Sequence, residues 1–313
     1  VLSVPAVQNK IRTTAEEELS KFLKTNVTIG KIEINPLSEL ALYDVRIPDQ
    51  QGGKMVTVDK IGAGMSLPNL VFFQRFVFNY AELIGLDGRI TKATPDSQMN
   101  IQFIIDALKP KDKNKPPTKF DVKLDAVVLR KSSLSFDVLS EPVGSGKFDK
   151  NHIRLQNINS DIRIPDLRND YFTFDIRRFA FSEHSGFYLN NLTALVHIDK
   201  RNITAKRLKI ELPGTRIEPA DISLHFNDLK TLDKEIKQIP LSLKIEEAPI
   251  TLSDFKAFVP ELGKVTMPMF LTIDVNGTTS RINLRRLNIH TDGEWLAVNT
   301  SASVTNPTDK HLI

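Results

Sequence analysis

The spacing of apolar residues changes from helical to strand-like near position 25. Over 4–25 the apolar residues recur every three or four positions, which predicts an amphipathic helix. Ser3 suits the cap of this helix, and Pro5 suits its first turn, where a missing backbone N–H costs nothing. From Val27 onward, apolar residues alternate with polar ones, as in half-buried strands. We therefore expect a helix over 4–25 that closes the open end of a long antiparallel sheet.

Alternation dominates the rest of the chain and is interrupted at few places. Short helices are predicted at 100–108, from the spacing of its isoleucines and Leu108, and at 253–259. Residues 109–119, rich in Lys and Pro, predict an exposed loop. Asp87-Gly88 predicts a hairpin turn. At about 8–12 residues per strand and turn, roughly fifteen to twenty strands are expected. Strands and helices do not alternate along the sequence, so a parallel α/β fold is not expected.

A single sheet of this length cannot stay flat, because strands twist, so it must close, divide or curl. One solution is two sheets sealed around a dry core. The other is an open trough whose inner face stays apolar, and the predicted helices are too few to cover such a face. We expect a mostly β fold, with one elongated body over 1–313 and a long curled antiparallel sheet forming an open hydrophobic groove. The sealed sandwich is the alternative.

Composition narrows the classes of function. The chain is 41% hydrophobic and contains 18 Phe against 4 Tyr and 1 Trp, and this balance suits a dry wall better than a wet interface. The absence of cysteine excludes disulfides, Cys-ligated zinc and Cys nucleophiles. The net charge is +4, and the basic residues are interspersed with acidic ones rather than clustered, which argues against nucleic-acid binding. No apolar run reaches the roughly 18 residues of a membrane span.

Motifs of known chemistry are missing from the sequence. None of the six histidines has an HxH or HExxH spacing, and no GxSxG elbow occurs. Gly144-Ser145-Gly146-Lys147 lacks the full phosphate-loop pattern and is interpreted as a flexible turn. We expect no catalytic residues, no metal site and no cofactor.

Several stretches carry a family resemblance through their order and spacing. Val4 to Gln8 leading into the helix, Val27 to Ile32, and Leu42 to Asp49 resemble the start of AsmA-like proteins of the TamB type. The 100–108 helix looks like a family feature, and Ile250 to Pro260 is similar to the family's short helical insert. The resemblance covers 4–260, and the strands beyond it also fit.

The resemblance implies a function and a location. In this family an inner-membrane anchor precedes the helix, and a β-taco-like curled sheet crosses the periplasm of Gram-negative bacteria. Its trough holds phospholipid acyl chains that move toward the outer membrane. Some members act instead in outer-membrane protein assembly through a C-terminal domain. We expect both the anchor and that domain to lie outside this sequence, and the family implies no catalytic residues.

The leading hypothesis is therefore a periplasmic lipid-transfer groove. Its expected wall consists of alternating apolar residues: Phe76, Phe78, Val122, Leu124, Phe136, Val138, Phe172, Phe174, Leu224, Phe226, Leu243, Ile245, Ile273 and Val275. Which side of each strand faces the groove is left undecided, because a single bulge exchanges the two sides of a strand. The second hypothesis is an assembly scaffold that offers a sheet edge to an outer-membrane barrel assembly protein. A third, a carbohydrate-active β protein, is disfavoured by the few Trp and Tyr residues.

Overall fold

The computed structural model describes residues 5–35, 39–65, 76–108, 120–144, 146–168, 171–227, 238–278 and 281–305. The chain divides into two compact units, and each is described by itself. Unit 1 comprises Val1–Ile162 and Phe181–Ser185, and unit 2 comprises Arg163–Ala180 and Gly186–Ile313. One elongated body over 1–313 stays a prediction, and the expected loop over 109–119 lies outside the described residues.

The mostly β class, with an N-terminal helix and a few short helical pieces, is confirmed. Unit 1 holds α1 (Pro5–Leu23), β1 (Lys31–Asn35), β2 (Glu39–Pro48), β3 (Lys54–Met65), β4 (Phe76–Ile84), β5 (Asp87–Lys92), α2 (Gln102–Leu108) and β6 (Phe120–Val138). Strands β7 (His152–Arg168) and β8 (Tyr171–Glu183) have residues in both units. Within unit 1 the hydrogen-bonded order is β1-β2-β3-β4-β6-β7, and β5 bonds to β3 and β6.

The sheet of unit 1 is mixed rather than wholly antiparallel, which corrects the sequence prediction. β6 runs parallel to both β4 and β5, with Phe76 opposite Phe120 and Ile90 opposite Phe136. The cause is the long connection through α2, because a crossover of this length returns the chain in the same direction.

The expected hairpin turn at Asp87-Gly88 is also wrong, since these residues begin β5. The chain does not reverse here, because β4 and β5 both run antiparallel to β3 in one register, with Ile84 opposite Lys60 and Asp87 opposite Thr57. The strand is only interrupted at Gly85, whose φ of 67° lies in the left-handed region. A Cβ at Gly85 would approach the carboxylate of Asp59 to within 2.0 Å, so this interruption needs glycine.

Helix α1 completes the core of unit 1. Its Ala15 and Leu23 pack with Val27, Ile29 and further buried residues of β1, β2 and β3. The amphipathic helix thus covers one face of the first strands and removes their apolar side chains from water.

Helix α1 also satisfies backbone groups of residues 27–29, which precede β1. The N–H of Ile29 donates to the Glu16 carboxylate at 2.7 Å, and Arg12 donates both to that carboxylate and to the carbonyl of Ile29. The N–H of Val27 donates to the Ser20 hydroxyl at 2.9 Å. The helix side chains therefore take the place of a neighbouring strand, and they blunt an edge that would otherwise attract other strands.

Unit 2 contains two sets of strands. The first consists of most of β8 with β9 (Tyr188–Leu189), β10 (Asn191–Asp199), β11 (Asn202–Glu211), β12 (Arg216–Ile217) and β13 (Ile222–His225). The second is an antiparallel sheet in the order β14 (Leu241–Thr251), β15 (Pro268–Thr278), β16 (Arg281–His290) and β17 (Ala297–Thr305).

The expected helix at 253–259 is a pair of 3₁₀ turns. The first spans Leu252–Phe255, and the second begins at Pro260 and ends at Lys264. The pattern placed the helical insert correctly but missed its division, because Pro260 begins a second turn, where its missing N–H costs nothing, instead of ending a single helix. None of the helices in the described residues combines the length and apolar character needed to span a membrane.

Replacing Glu16 with Ala tests the contact between α1 and Ile29. We expect a loss of about 1–3 kcal/mol in the stability of unit 1, because the buried Ile29 N–H loses its acceptor. The measurement is urea unfolding, combined with hydrogen exchange at the Ile29 amide. The control is Glu17→Ala on the exposed side of the same helix turn, which should change stability by less than about 0.5 kcal/mol. Equal effects of the two variants would contradict the role of Glu16.

Candidate functional site

The strand register of unit 2 builds a continuous apolar face across β8, β10, β11 and β13. Residues directly opposite each other in an antiparallel pair lie on the same face of the sheet. Two rows follow from the pairing, Phe172–Ile198–Ile203–Leu224 and Phe174–Val196–Ala205–Ile222. We call these eight residues the first apolar face.

The opposite side of the same strands is polar. Its central row is Thr173–His197–Thr204–Ser223. There the hydroxyl of Thr173 lies 3.0 Å from Nδ1 of His197, and the hydroxyl of Tyr171 lies 3.3 Å from the same atom. The sheet therefore has one side suited to water and one suited to apolar contact.

Solvent reaches the first apolar face. All eight of its residues are half-buried, whereas the ten residues at the centre of the core between α1 and the first strands of unit 1 are buried. The first apolar face is therefore more accessible to solvent than the centre of that core.

The four-stranded sheet repeats this arrangement. Its rows are Leu243–Val275–Leu284–Ala302, Ile245–Ile273–Leu287–Thr300 and Ala248–Leu271–Ile289–Val298. We call the eleven apolar residues of these rows, which leave out Thr300, the second apolar face. Burial decreases across it, from Ile245 and Ala248 on β14, which are buried, to Val298 on β17, which is 49% exposed.

Bulges keep the apolar residues of each strand on one side. In β14, Ile245 lies opposite Ile273 and Ala248 lies opposite Leu271, so Glu246 and Glu247 together face a single residue, Thr272. Without that extra residue, Ala248 would point to the polar side. The backbone of Glu247 takes the left-handed φ of 47° that the bulge requires.

The same pattern recurs in other strands. In β11 the extra residue falls at Arg207, with φ 52°, between Ala205 and Leu208. In β16 two consecutive arginines, Arg285 and Arg286, separate Leu284 from Leu287. Each bulge appears in the sequence as two adjacent polar residues inside an alternating strand, a signal that simple alternation overlooks.

The bulge in β14 is held by charge and hydrogen bonds on the polar side. The Thr272 hydroxyl donates to the Glu247 carboxylate at 2.9 Å and accepts the Glu247 N–H at 3.1 Å. Nε2 of His290 lies 3.1 Å from the same carboxylate. The Thr272 bond and then His290 lower the pKa of Glu247 below its ordinary value. Residues from three strands thus stabilise the irregular backbone.

Ten of the fourteen predicted wall residues have described side chains, and seven of these lie on the two apolar faces. Phe172, Phe174 and Leu224 lie together on the first apolar face, and Leu243, Ile245, Ile273 and Val275 lie together on the second, with Leu243 opposite Val275 and Ile245 opposite Ile273. In unit 1, Phe136 is half-buried opposite Ile90, while Val138 is buried. Phe226 follows β13 and is also buried.

The remaining four wall residues have described backbones only. Phe76 and Phe78 belong to β4, and Val122 and Leu124 to β6, with Phe78 opposite Val122. Their side chains lie outside what the structure describes. The periodicity did not indicate the members of the two faces that come from β10, β11, β16 and β17, because the facing strands could not be paired in advance.

His152 forms a separate polar site in unit 1. Its Nδ1 lies 2.9 Å from Asp137 and its Nε2 lies 3.0 Å from the carbonyl of Glu141. A carboxylate and a carbonyl only accept hydrogen bonds, so the ring satisfies both only when both nitrogens carry protons. The Asp137 bond accordingly raises the pKa of His152 above its ordinary value near 6.5.

His152 also borders a hollow of about 390 Å³, closed on one side by Gly144, Gly146 and Asp149. The Asp149 carboxylate accepts the N–H of Gly144 at 2.8 Å and that of Asn151 at 2.9 Å. Hydrogen bonds within the glycine-rich segment therefore stabilise its turn. Ser145 lies outside the described residues.

No group of His, Asp and Glu side chains in the described ranges is placed to hold a metal ion. Comparison of the chain with models of known families, with curated proteins and with solved structures finds no match. The geometry above therefore carries the functional argument.

Replacing Asp137 with Asn tests the protonated state of His152. In the native protein the folded pKa is raised, so the stability contributed by His152 is fully present below its unfolded pKa of about 6.5 and is lost as pH rises through the folded pKa. Asp137→Asn should lower the His152 pKa, measured by NMR titration of the ring protons. Glu141→Gln is the control, since only the backbone carbonyl of Glu141 meets the ring. A His152 pKa unmoved by Asp137→Asn would refute the assignment.

Proposed function

We propose that the protein binds phospholipid acyl chains on the apolar faces of unit 2 and shields them from water. The observation that carries the proposal is the first apolar face, in which eight apolar residues from four strands are only half-buried while the other side of the sheet is polar. An extended apolar surface in contact with solvent marks a place for an apolar partner.

The size and chemistry of the first apolar face suit an acyl chain. Four strands at a spacing of about 4.8 Å give each row a length on the order of 14 Å. This is close to half of the roughly 30 Å hydrocarbon thickness of a bilayer, which is the depth that one acyl chain reaches. Burial of each CH₂ contributes about 0.8 kcal/mol, so affinity needs no specific head-group contact.

The resemblance of the sequence to AsmA-like proteins of the TamB type supplies the cellular setting of the proposal. On that basis we propose a periplasmic protein, tied to the inner membrane by an anchor outside this sequence, that moves phospholipid between the inner and outer membranes.

The alternative is a scaffold in outer-membrane protein biogenesis that pairs a strand of a barrel assembly protein. One observation favours it. Every residue of β17 is exposed, and within the described residues β17 is the last strand of its sheet. Addition of a strand there would use the backbone groups that β16 leaves free. A pull-down with the barrel assembly protein, compared with lipid occupancy, distinguishes the two functions.

Acid substitutions on the two sides of β13 test lipid binding. Leu224 lies on the first apolar face and its neighbour Ser223 lies on the polar side. Leu224→Asp should reduce co-purifying phospholipid at least about five-fold, because a charge desolvated against an acyl chain costs more than about 1 kcal/mol. Native mass spectrometry of the purified protein measures the occupancy.

Ser223→Asp is the matched control and should leave occupancy unchanged, with circular dichroism confirming the fold of both variants. Phe174→Asp places the same charge three strands away on the same face and should repeat the loss. Unchanged occupancy in both face variants, or equal loss in Ser223→Asp, would reject acyl binding at this face.

A further inference from the structure

The segment between β14 and β15 presents two consecutive large apolar residues to solvent. Phe258 is 46% exposed and Val259 is 45% exposed, and both lie between the two 3₁₀ turns. Single exposed apolar residues are common on protein surfaces. An adjacent aromatic and β-branched pair at the tip of an insert is a more specific feature.

The insert is held rigidly in spite of this exposure. The N–H of Ser253 donates to the carbonyl of Val265 at 3.0 Å and closes its neck. Ala257, directly before the exposed pair, is 1% exposed and anchors the tip. Hydrogen bonding at the neck and burial of Ala257 therefore fix the position of Phe258 and Val259.

A second set of bonds fixes the insert to the turn after β11. The carboxylate of Asp254 accepts the N–H of Gly214 at 2.9 Å, and the hydroxyl of Thr251 donates to the carbonyl of Gly214 at 3.1 Å. A Cβ at Gly214 would lie 2.4 Å from that hydroxyl oxygen, so the turn can approach this closely only as glycine. The Phe187 ring meets the Phe258 ring edge-on at 5.2 Å and supports it from behind.

Two lysines flank the apolar tip. The stem of Lys256 passes close to Gly186 and Gly263, where added Cβ atoms would lie 3.5 and 3.4 Å from it. Lys264 ends the second 3₁₀ turn. Both lysines are exposed, and neither forms an ion pair with any residue that the structure describes. The insert also contains two acids, Glu261 and Asp254, and the Asp254 carboxylate keeps its charge while it accepts the Gly214 N–H, so the formal charges of the insert balance.

We propose that this tip is a membrane-docking site, with Phe258 and Val259 entering the interfacial region of a bilayer and Lys256 and Lys264 meeting anionic head groups. Apolar side chains gain by leaving water at that depth, while lysines extend their apolar stems and keep the ammonium groups among the phosphates. The rigid neck means that little conformational freedom is lost on docking. This site is separate from the apolar sheet faces, and it stands whether or not those faces bind acyl chains.

Vesicle sedimentation tests the docking site. We expect the protein to bind vesicles of phosphatidylcholine mixed with phosphatidylglycerol, to bind pure phosphatidylcholine more weakly, and to lose the difference at high salt. Phe258→Asp combined with Val259→Asp should weaken binding about ten-fold or more, which corresponds to about 1.4 kcal/mol. Leu139→Asp, which changes an equally apolar and 67% exposed residue of unit 1, is the matched control and should bind like the native protein.

A fluorescence measurement keeps the proposal testable if the double variant folds poorly. The chain has one tryptophan, Trp295, so Phe258→Trp in a Trp295→Phe background reports on the tip alone. Brominated lipids should quench this tryptophan on vesicle binding. An unquenched tip, vesicle binding unaffected by the double variant, or self-association through the tip without vesicle binding would each overturn the proposal. Lipid occupancy by native mass spectrometry should be unchanged in all tip variants, so failure here is distinct from failure of acyl binding.

Discussion

The apolar faces of unit 2 depend on one geometric constraint, which is that opposite residues of paired antiparallel strands lie on the same side of the sheet. Alternation within one strand produces only a short apolar line. It becomes a surface when the registers agree, as they do where Phe174, Val196 and Ala205 follow one another across three strands. A shift of one residue between β8 and β10 would place Thr173 or His197 among the apolar side chains. Register is therefore the property on which the proposed lipid binding rests.

Bulges protect that register over long strands. A long strand needs extra twist, and an inserted residue supplies it at the cost of an unpaired backbone position. At Glu247 the freed groups find partners in Thr272, and the next apolar residue returns to the correct side. A left-handed glutamate or arginine costs roughly 1–2 kcal/mol relative to its relaxed backbone. Its repeated occurrence, at Arg207 and Glu247 alike, indicates that the bent strand is part of the architecture rather than a local accident.

The sequence predicted those features that depend on neighbours along the chain. Helix α1, the mostly β class and the position of the insert near 253–259 all follow from local periodicity. The parallel path of β6 did not, because it is decided by a crossover that brings together residues some forty positions apart. The burial of Phe226 was equally hidden. Alternation with a period of two predicts on which side of the sheet a residue lies. It does not predict whether another layer of the structure covers that side.

Whether that second layer is present separates a core from a binding surface. In unit 1, α1 supplies it: the helix buries Ile29 and Val27 and also satisfies their backbone groups through Glu16 and Ser20. The first apolar face of unit 2 has the same kind of side chains in the same alternation, yet each keeps part of its surface in water. A permanent cover would add stability but would abolish access. Under the proposed function the acyl chain is the covering layer, and a sheet that folds without it can release it again, since the strand pairing and the polar side hold the fold independently of the ligand.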